Sequence, residues 1–384
     1  MKILVISGSH KGFASSIRVG EWIKTGILRK RPNWTVDIIP VGDGGEGTVE
    51  SIVPVLNGRY YNIRSFNPLH EPISVRVGYV PSLDTSFLEV ADLAGAGQVG
   101  RSDWNTLDLS SFGVGVAVRE VVETGTPNIV IGLGGSIISD GGLGMAQALG
   151  VRFYDENDDL VQGKAGDCLT CRDLIKISRI EMSRIPESVT TRKYIILSDV
   201  NIPLLGPHGQ AHTFGPQKKA SKDDISFIES GLAKWNRVLK STFEKNYDIP
   251  LAGAAGGLAA GLSAFLSGEL RLGIDYVLEH IGFDRLCSNY DVVITGEGRL
   301  DRTTKLGKTC HGIAKHCQKL GKPFYGIFGY IAEVIDEFRD HAIDASTQGV
   351  DSDDERRLFS EEALIKAAGA VCDKLVDRNE HGTS

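Results

Sequence analysis

Three times in this chain an apolar, strand-like run empties into a stretch built from glycine and carboxylates. Residues 36–41 lead into Asp43-Gly44-Gly45-Glu46-Gly47-Thr48. Residues 129–133 lead into Gly134-Gly135-Ser136 and then Asp140-Gly141-Gly142. Residues 292–294 lead into Gly296-Glu297-Gly298-Arg299-Leu300-Asp301. A strand that ends in such a loop is the ligand-binding element of open α/β sheets. Glycine lets backbone N–H groups approach an anion closely. Carboxylates beside it suit a hydrated Mg²⁺ or a proton in transfer. The pattern points first to phosphate chemistry.

The alternation around these loops supports an α/β reading. Residues 2–7 form a strand candidate, and Ser15 or Ser16 can cap a helix carrying Val19, Trp22, Ile23 and Ile27 on one face. With the strand at 36–41, residues 1–48 read as a βαβ unit. Residues 74–80 and 86–91 flank Pro81-Ser82-Leu83-Asp84 and read as an antiparallel hairpin. Helical spacing covers 112–123 before a buried strand at 128–133, and Ile225, Ile228, Leu232, Trp235 and Leu239 mark a long amphipathic helix. From Asp291 the alternation returns, with strands at 292–295 and 323–329 and helices at 308–320 and 361–375. The polar tail from Asp377 is expected to fray.

Like βα blocks at both ends and hairpins in the middle imply a discontinuous architecture. The expectation is a Rossmann/flavodoxin-like parallel-sheet domain made of residues 1–62 and 285–384, with a second α/β domain, 63–284, inserted. The three loops would face the cleft between them. A length of 384 residues is enough for two cores. A net charge of -7, with no basic run interleaved with aromatics, argues against a nucleic-acid surface. No apolar run reaches the ~18 residues of a membrane span, and the chain starts directly on a strand-like segment, so a cytoplasmic location is expected. Cys168 and Cys171 form a lone CxxC without a second pair, and free thiols are the expected state.

Two nucleotide motifs fail on spacing. A GxGxxG counted from Gly132 needs glycine where Ile137 stands, and a P-loop ending at Gly307-Lys308-Thr309 needs one at Arg302. Glycine turns after strands are often only structural. The carboxylates tip the balance, because Asp43, Glu46, Asp140, Asp199, Glu297 and Asp301 all follow strand-like runs. Lys11, Lys218, Arg299 and Lys308 supply cations for phosphate or a substrate carboxylate. Phosphoryl transfer asks for these parts: cations and Mg²⁺ on the phosphates, and a base near the accepting hydroxyl. His10, a loop histidine, is either a bystander or a substrate contact.

In order along the chain, Ser9 with Lys11-Gly12, the Asp43–Thr48 run, Ile131 to Ser136 and Asp140 to Met145 resemble the type I glycerate kinase family. So do Pro203 to Pro207, Phe214 to Lys218, Gly253 to Leu258, Ile294 to Asp301 and Gly307-Lys308. The resemblance implies an ATP- and Mg²⁺-dependent kinase that phosphorylates a hydroxyl of a hydroxy acid, glycerate by default. It implies a monomer or homodimer acting on a small molecule. In that reading Lys11 and Arg299 bind the substrate carboxylate or the transferring phosphoryl group. Asp43 and Asp199 take the Mg²⁺ and base roles in unassigned order. Ser9, His10, Glu46, Asn201 and Lys218 contact substrate, while Gly134, Gly135, Ser136, Asp140, Glu297, Asp301 and Lys308 serve the nucleotide.

Departures from the family pattern cluster in loops. Its usual Pro-Asp-Ser-Phe-Lys-Gly is Ser7-Gly8-Ser9-His10-Lys11-Gly12 here, and its Asp-Val-Asp-Asn-Pro is Asp199-Val200-Asn201-Ile202-Pro203. Its Thr-Asn before the second-loop Asp is Ile138-Ser139, its Gly-Gln-Thr is Arg302-Thr303-Thr304, and its Ala-Pro is Thr309-Cys310. A lost polar contact to a substrate hydroxyl changes selectivity strongly. Two alternatives stay open: the same chemistry on a larger polyhydroxy or sugar acid, or a natural-product intermediate, and a non-catalytic nucleotide-binding regulator.

Overall fold

The computed structural model describes residues 1–10, 14–100, 104–163, 168–345 and 353–381, and the chain divides into two compact units. The first comprises Met1–Asp43, Glu50–Val55 and Ile274–Ser384; the second comprises Gly44–Val49 and Leu56–Gly273. Both are α/β with mainly parallel strands, as the alternation predicts. Strands are numbered along the chain.

In the first unit five strands lie in the order β13-β12-β11-β1-β2: β1 (Lys2–Val5), β2 (Thr35–Ile38), β11 (Val292–Leu300), β12 (Phe324–Ile331) and β13 (Ala342–Asp344). Every pairing is parallel. The expected helix runs Ser16–Lys30, and the Ser15 side chain accepts from the Arg18 N–H. Its Val19, Ile23 and Ile27 pack with Ile3, Val5, Val292, Ile294 and Ile327 of the sheet, and with Leu364, Ala368 and Val371 of a long C-terminal helix. That helix spans Asp353–His381 and so continues past Asp377, where fraying was expected. No proline interrupts the stretch, and its one glycine, Gly369, lies well before the expected end.

In the second unit a six-stranded sheet has the order β10-β9-β6-β5-β4-β3. Its strands are β3 (Arg59–Phe66), β4 (Pro72–Val80), β5 (Thr85–Glu89), β6 (Asn128–Gly132), β9 (Lys193–Ser198) and β10 (Glu269–Leu272). The expected hairpin is β4–β5, antiparallel; β3 extends it, and β5, β6, β9 and β10 are mutually parallel. Strand β5 stops at Glu89, and Val90–Ala94 is helical rather than extended. A separate two-stranded pair joins β7 (Arg152–Tyr154) to β8 (Arg179–Glu181). The helix Lys222–Phe243 buries Trp235, whose ring lies against Phe153 and Phe265 and whose Nε1 donates to the Gly141 carbonyl at 3.0 Å. Among the described residues no helix is long and apolar enough to cross a membrane.

The structure corrects one sequence expectation outright. Residues 296–300 are not a loop but the second half of β11, in register with β12 through Arg299 opposite Tyr330 and Leu300 opposite Ile331. Glycine occupies position 296 for space: a Cβ there would meet the Ile327 carbonyl oxygen at 2.0 Å. Gly296→Ala is therefore expected to lower the urea unfolding midpoint by about 1–3 kcal/mol of stability, the usual cost of overpacking. Gly97→Ala, where an added Cβ meets nothing within 4 Å, should change stability by less than about 0.5 kcal/mol.

Candidate active site

In the second unit three chain segments converge at the carboxyl ends of β6 and β9. The Gly134 N–H donates to the Gly44 carbonyl at 2.9 Å, and the Leu133 N–H donates to the Leu197 carbonyl at 3.0 Å. A Cβ at Gly134 would lie 2.4 Å from the Gly45 Cα and 2.7 Å from a carboxylate oxygen of Asp199. Only a residue without a side chain lets the 44–48 loop and Asp199 close on this strand end. Gly44 itself has φ +88, which favours glycine, and a Cβ there would meet the Leu197 carbonyl at 2.9 Å. Thr48 ties the loop internally, accepting from the Gly44 N–H at 3.0 Å and donating to the Gly45 carbonyl at 2.7 Å.

This convergence brings together Glu46, Gly134, Gly135 and Asp199. Glu46 is exposed, Asp199 is half-buried, and a Cβ at exposed Gly135 would sit 3.8 Å from that of Glu46. Ser136 is bridged to Gly95, and the Ile137 N–H donates to the Ala94 carbonyl at 2.9 Å. The amides of Gly134 and Ile137 are thus committed within the protein. Asn201, two residues past Asp199, is exposed.

Asp140 and Lys218 lie deeper. The Asp140 carboxylate is fully buried and accepts from the Ser111 N–H and Oγ, both at 2.7 Å, and from the Gly142 and Gly144 N–H groups, both at 3.2 Å. Burial raises its pKa against those four donors. Its hydrogen bonds tie the turn that starts the helix Leu143–Ala148 to Ser111, at the start of the helix Phe112–Glu123. The Lys218 ammonium donates to the Ile138 carbonyl at 2.5 Å. Burial brings its pKa down to about 8, opposed by the negative charges of Asp140 and Asp199. Cys168 and Cys171 are both buried.

The first unit gathers a second set of groups. Asp43 accepts from the Thr309 Oγ1 at 3.1 Å and the Thr309 N–H at 3.4 Å, at the start of the helix Thr309–Lys319. Glu297, within β11, is buried; it pairs with the Lys308 ammonium at 3.2 Å and accepts from Thr304 at 2.5 Å and the Cys310 thiol at 3.3 Å. Burial pushes its pKa up against the pull of Lys308 and these donors. Arg299 is exposed and pairs with Asp301 at 3.0 Å. Burial alone would raise Asp301, but the Thr303 hydrogen bonds, Lys308 and Arg299 outweigh it and hold its pKa low.

Of the first loop, Ser9 is half-buried and His10 fully buried, while Lys11 lies outside the described residues. A Cβ at Gly298 would be 3.8 Å from the His10 ring. The His10 Nε2 has no hydrogen-bond partner among the described residues, and burial lowers its pKa to about 4. Near neutral pH this imidazole is uncharged.

Sequence reading missed Glu89, which holds the 44–49 segment from the end of β5. Its partner amides are 40 residues or more away along the chain, so no local spacing signals the contact.

Parallel strands ending in carboxylates, cations and close-packed glycine turns suit an enzyme of the phosphotransferase class. Residues 3–373 match the glycerate kinase family. Relatives include a glycerate kinase of Halalkalibacterium halodurans, 35% identical over 90% of this chain and 89% of that protein. A glycerate 2-kinase of Escherichia coli is 35% identical with the same coverage of both chains. The crystal structure of a putative glycerate kinase 2 from Salmonella typhimurium superimposes with a TM-score of 0.79 at 29% identity, covering 99% of each chain. The chain belongs to the glycerate kinase family. It is a kinase, an enzyme that transfers phosphate to an alcohol group.

Lys218 gives a pH signature with a defined sign. Its folded pKa, about 8, lies below the ordinary 10.5, so the unfolded chain binds more protons between those values. Stability contributed by this group therefore rises with pH through that window. The urea midpoint of Lys218→Met relative to the unaltered protein should accordingly fall between about pH 8 and pH 10.5. A constant difference would show that Lys218 titrates normally.

Proposed function

We propose that the chain transfers the γ-phosphoryl group of ATP to a hydroxyl of glycerate, with Mg²⁺ on the phosphates. The carrying observation is the convergence of Gly45, Gly134 and Asp199, which seats a half-buried carboxylate beside a glycine turn at a strand end. A cytoplasmic location accords with this reading.

Each side chain has a task that its surroundings allow. Asp199 and Asp43 divide between them the taking of the acceptor hydroxyl's proton and the holding of Mg²⁺; Thr309 orients Asp43 for either. Among the described residues no three His, Cys, Asp or Glu side chains cluster as a metal cage. One or two carboxylates suit Mg²⁺, which keeps waters and shares substrate phosphates. When bound, the ion neutralises charge developing on the phosphoryl oxygens.

Lys308, 29% exposed and drawn to Glu297, holds its charge for a nucleotide phosphate. Exposed Gly135 and half-buried Ser136 line the turn the phosphates would approach. Arg299 and Lys11 bind the substrate carboxylate, Arg299 with its fork aimed by Asp301. Glu46 and Asn201, both exposed, and Ser9 reach the acceptor's hydroxyls. Asp140, Lys218, Glu297 and Asp301 act by placing these groups.

A second reading, a larger polyhydroxy acid as acceptor, draws on His10. Where the family pattern has phenylalanine, this chain has a buried neutral imidazole whose Nε2 has no hydrogen-bond partner among the described residues. A buried polar atom left unpaired is costly, and a substrate hydroxyl would satisfy it.

A coupled assay of ADP release with D-glycerate, ATP and Mg²⁺ tests the leading reading. Asp199→Asn should lower kcat by about 10²–10⁴-fold, the usual worth of a general base or a metal-held phosphoryl group. Absence of turnover by folded protein would remove glycerate as the substrate. Turnover confined to larger hydroxy acids would favour the second reading.

A further inference from the structure

Glu89, the last residue of β5, is only 4% exposed. One carboxylate oxygen accepts the Gly47 N–H at 3.1 Å, and the other accepts the Val49 N–H in a short contact. The two amides flank Thr48, whose hydroxyl closes the same loop on Gly44 and Gly45. Tyr60 adds a long contact from its hydroxyl to the Val49 carbonyl at 3.4 Å. The exposed Glu46 sits in the middle of the segment held this way.

An ionised carboxylate is the acceptor that two backbone donors require, because both oxygens carry free lone pairs and neither carries a hydrogen. Protonation puts a hydrogen on one oxygen and turns it toward an N–H. An amide side chain has the same fault, since its NH₂ cannot accept.

We propose that Glu89 is a positioning residue that clamps residues 44–49 in the geometry the site uses, and that loss of its charge releases the loop. Burial lifts its carboxyl to about 7, the Val49 and Gly47 amides oppose that rise, and the charges of Asp92 and Glu46 add to it. Asp92 lies in the helix that follows β5, and Glu46 in the clamped loop itself. Asp92 and Glu46 are both acidic, so among the described residues it is the two N–H groups that favour the charge on Glu89. The clamp is closed above neutrality and opens below it.

The reading of the 44–49 segment as part of a kinase site rests on the preceding proposal, but the clamp can be measured without turnover. Hydrogen exchange of peptides covering residues 44–55 is followed on the full chain at about pH 6 and about pH 8, on either side of the Glu89 pKa of about 7. Rates are corrected for the intrinsic pH dependence of exchange. The Gly47 and Val49 amides should exchange about tenfold faster at the lower pH, as expected for losing a charged hydrogen bond. Glu89→Gln should show the faster rate at both, with an unchanged far-UV spectrum. Glu89→Asp, with its carboxylate one methylene short, should fall between.

Equal protection at both pH values in the unaltered chain would overturn the clamp, whether or not the protein phosphorylates glycerate. So would full protection in folded Glu89→Gln. If glycerate is turned over, the acid limb of kcat near pH 7 should vanish in Glu89→Gln. An acid limb retained in that variant would place the controlling proton elsewhere.

Discussion

The absence of a side chain at Gly134 is the constraint on which the second unit's site depends. Strands β6 and β9 run parallel and side by side, so their following loops leave the same edge of the sheet. Two exit loops and the 44–48 segment cannot share that space if position 134 carries a Cβ, which would fall 2.4 Å from Gly45 and 2.7 Å from Asp199. Close approach also lets backbone groups satisfy one another, through Gly134 to Gly44 and Leu133 to Leu197. A half-buried carboxylate is thereby held beside a turn with almost no intervening atoms.

Burial then sorts carboxylates that look equivalent in the sequence. Asp140 meets four donors and is occupied with the turn around it. Glu297 is buried against Lys308, Thr304 and Cys310, and Asp301 caps the turn Arg302–Leu306 while steering Arg299. Asp199 and Glu46 keep contact with solvent, and so with any solute. An acid enclosed by donors cannot exchange them cheaply for a ligand.

Periodicity made much of the fold legible. The caps and apolar spacing of Ser16–Lys30, the hairpin β4–β5 and the helix Phe112–Glu123 all follow from local pattern. The stretch after Ile294 was misread because glycine marks both turns and tight strand pairs. At Gly296 the neighbour that decides between them, Ile327, lies on another strand. Strand β3 escaped notice because its exposure alternates imperfectly and its partner β4 supplies the pairing. The role of Glu89 was equally hidden, since a lone acid at the end of an apolar run looks like an ordinary strand boundary.

What the amino-acid sequence determined by itself is the alternation of strands and helices, and the ordered motifs that place the chain among the glycerate kinases. Both are local properties: side-chain period and residue order need no knowledge of distant neighbours. Only the tertiary structure decided which glycines are turns and which are contact points, and which acids stay open to solvent. It also decided that His10 is buried and neutral, and that Glu89 grips a loop 40 residues away. Those outcomes depend on desolvation and on distances of a few ångströms between segments far apart in the chain. No spacing along one strand of sequence encodes them.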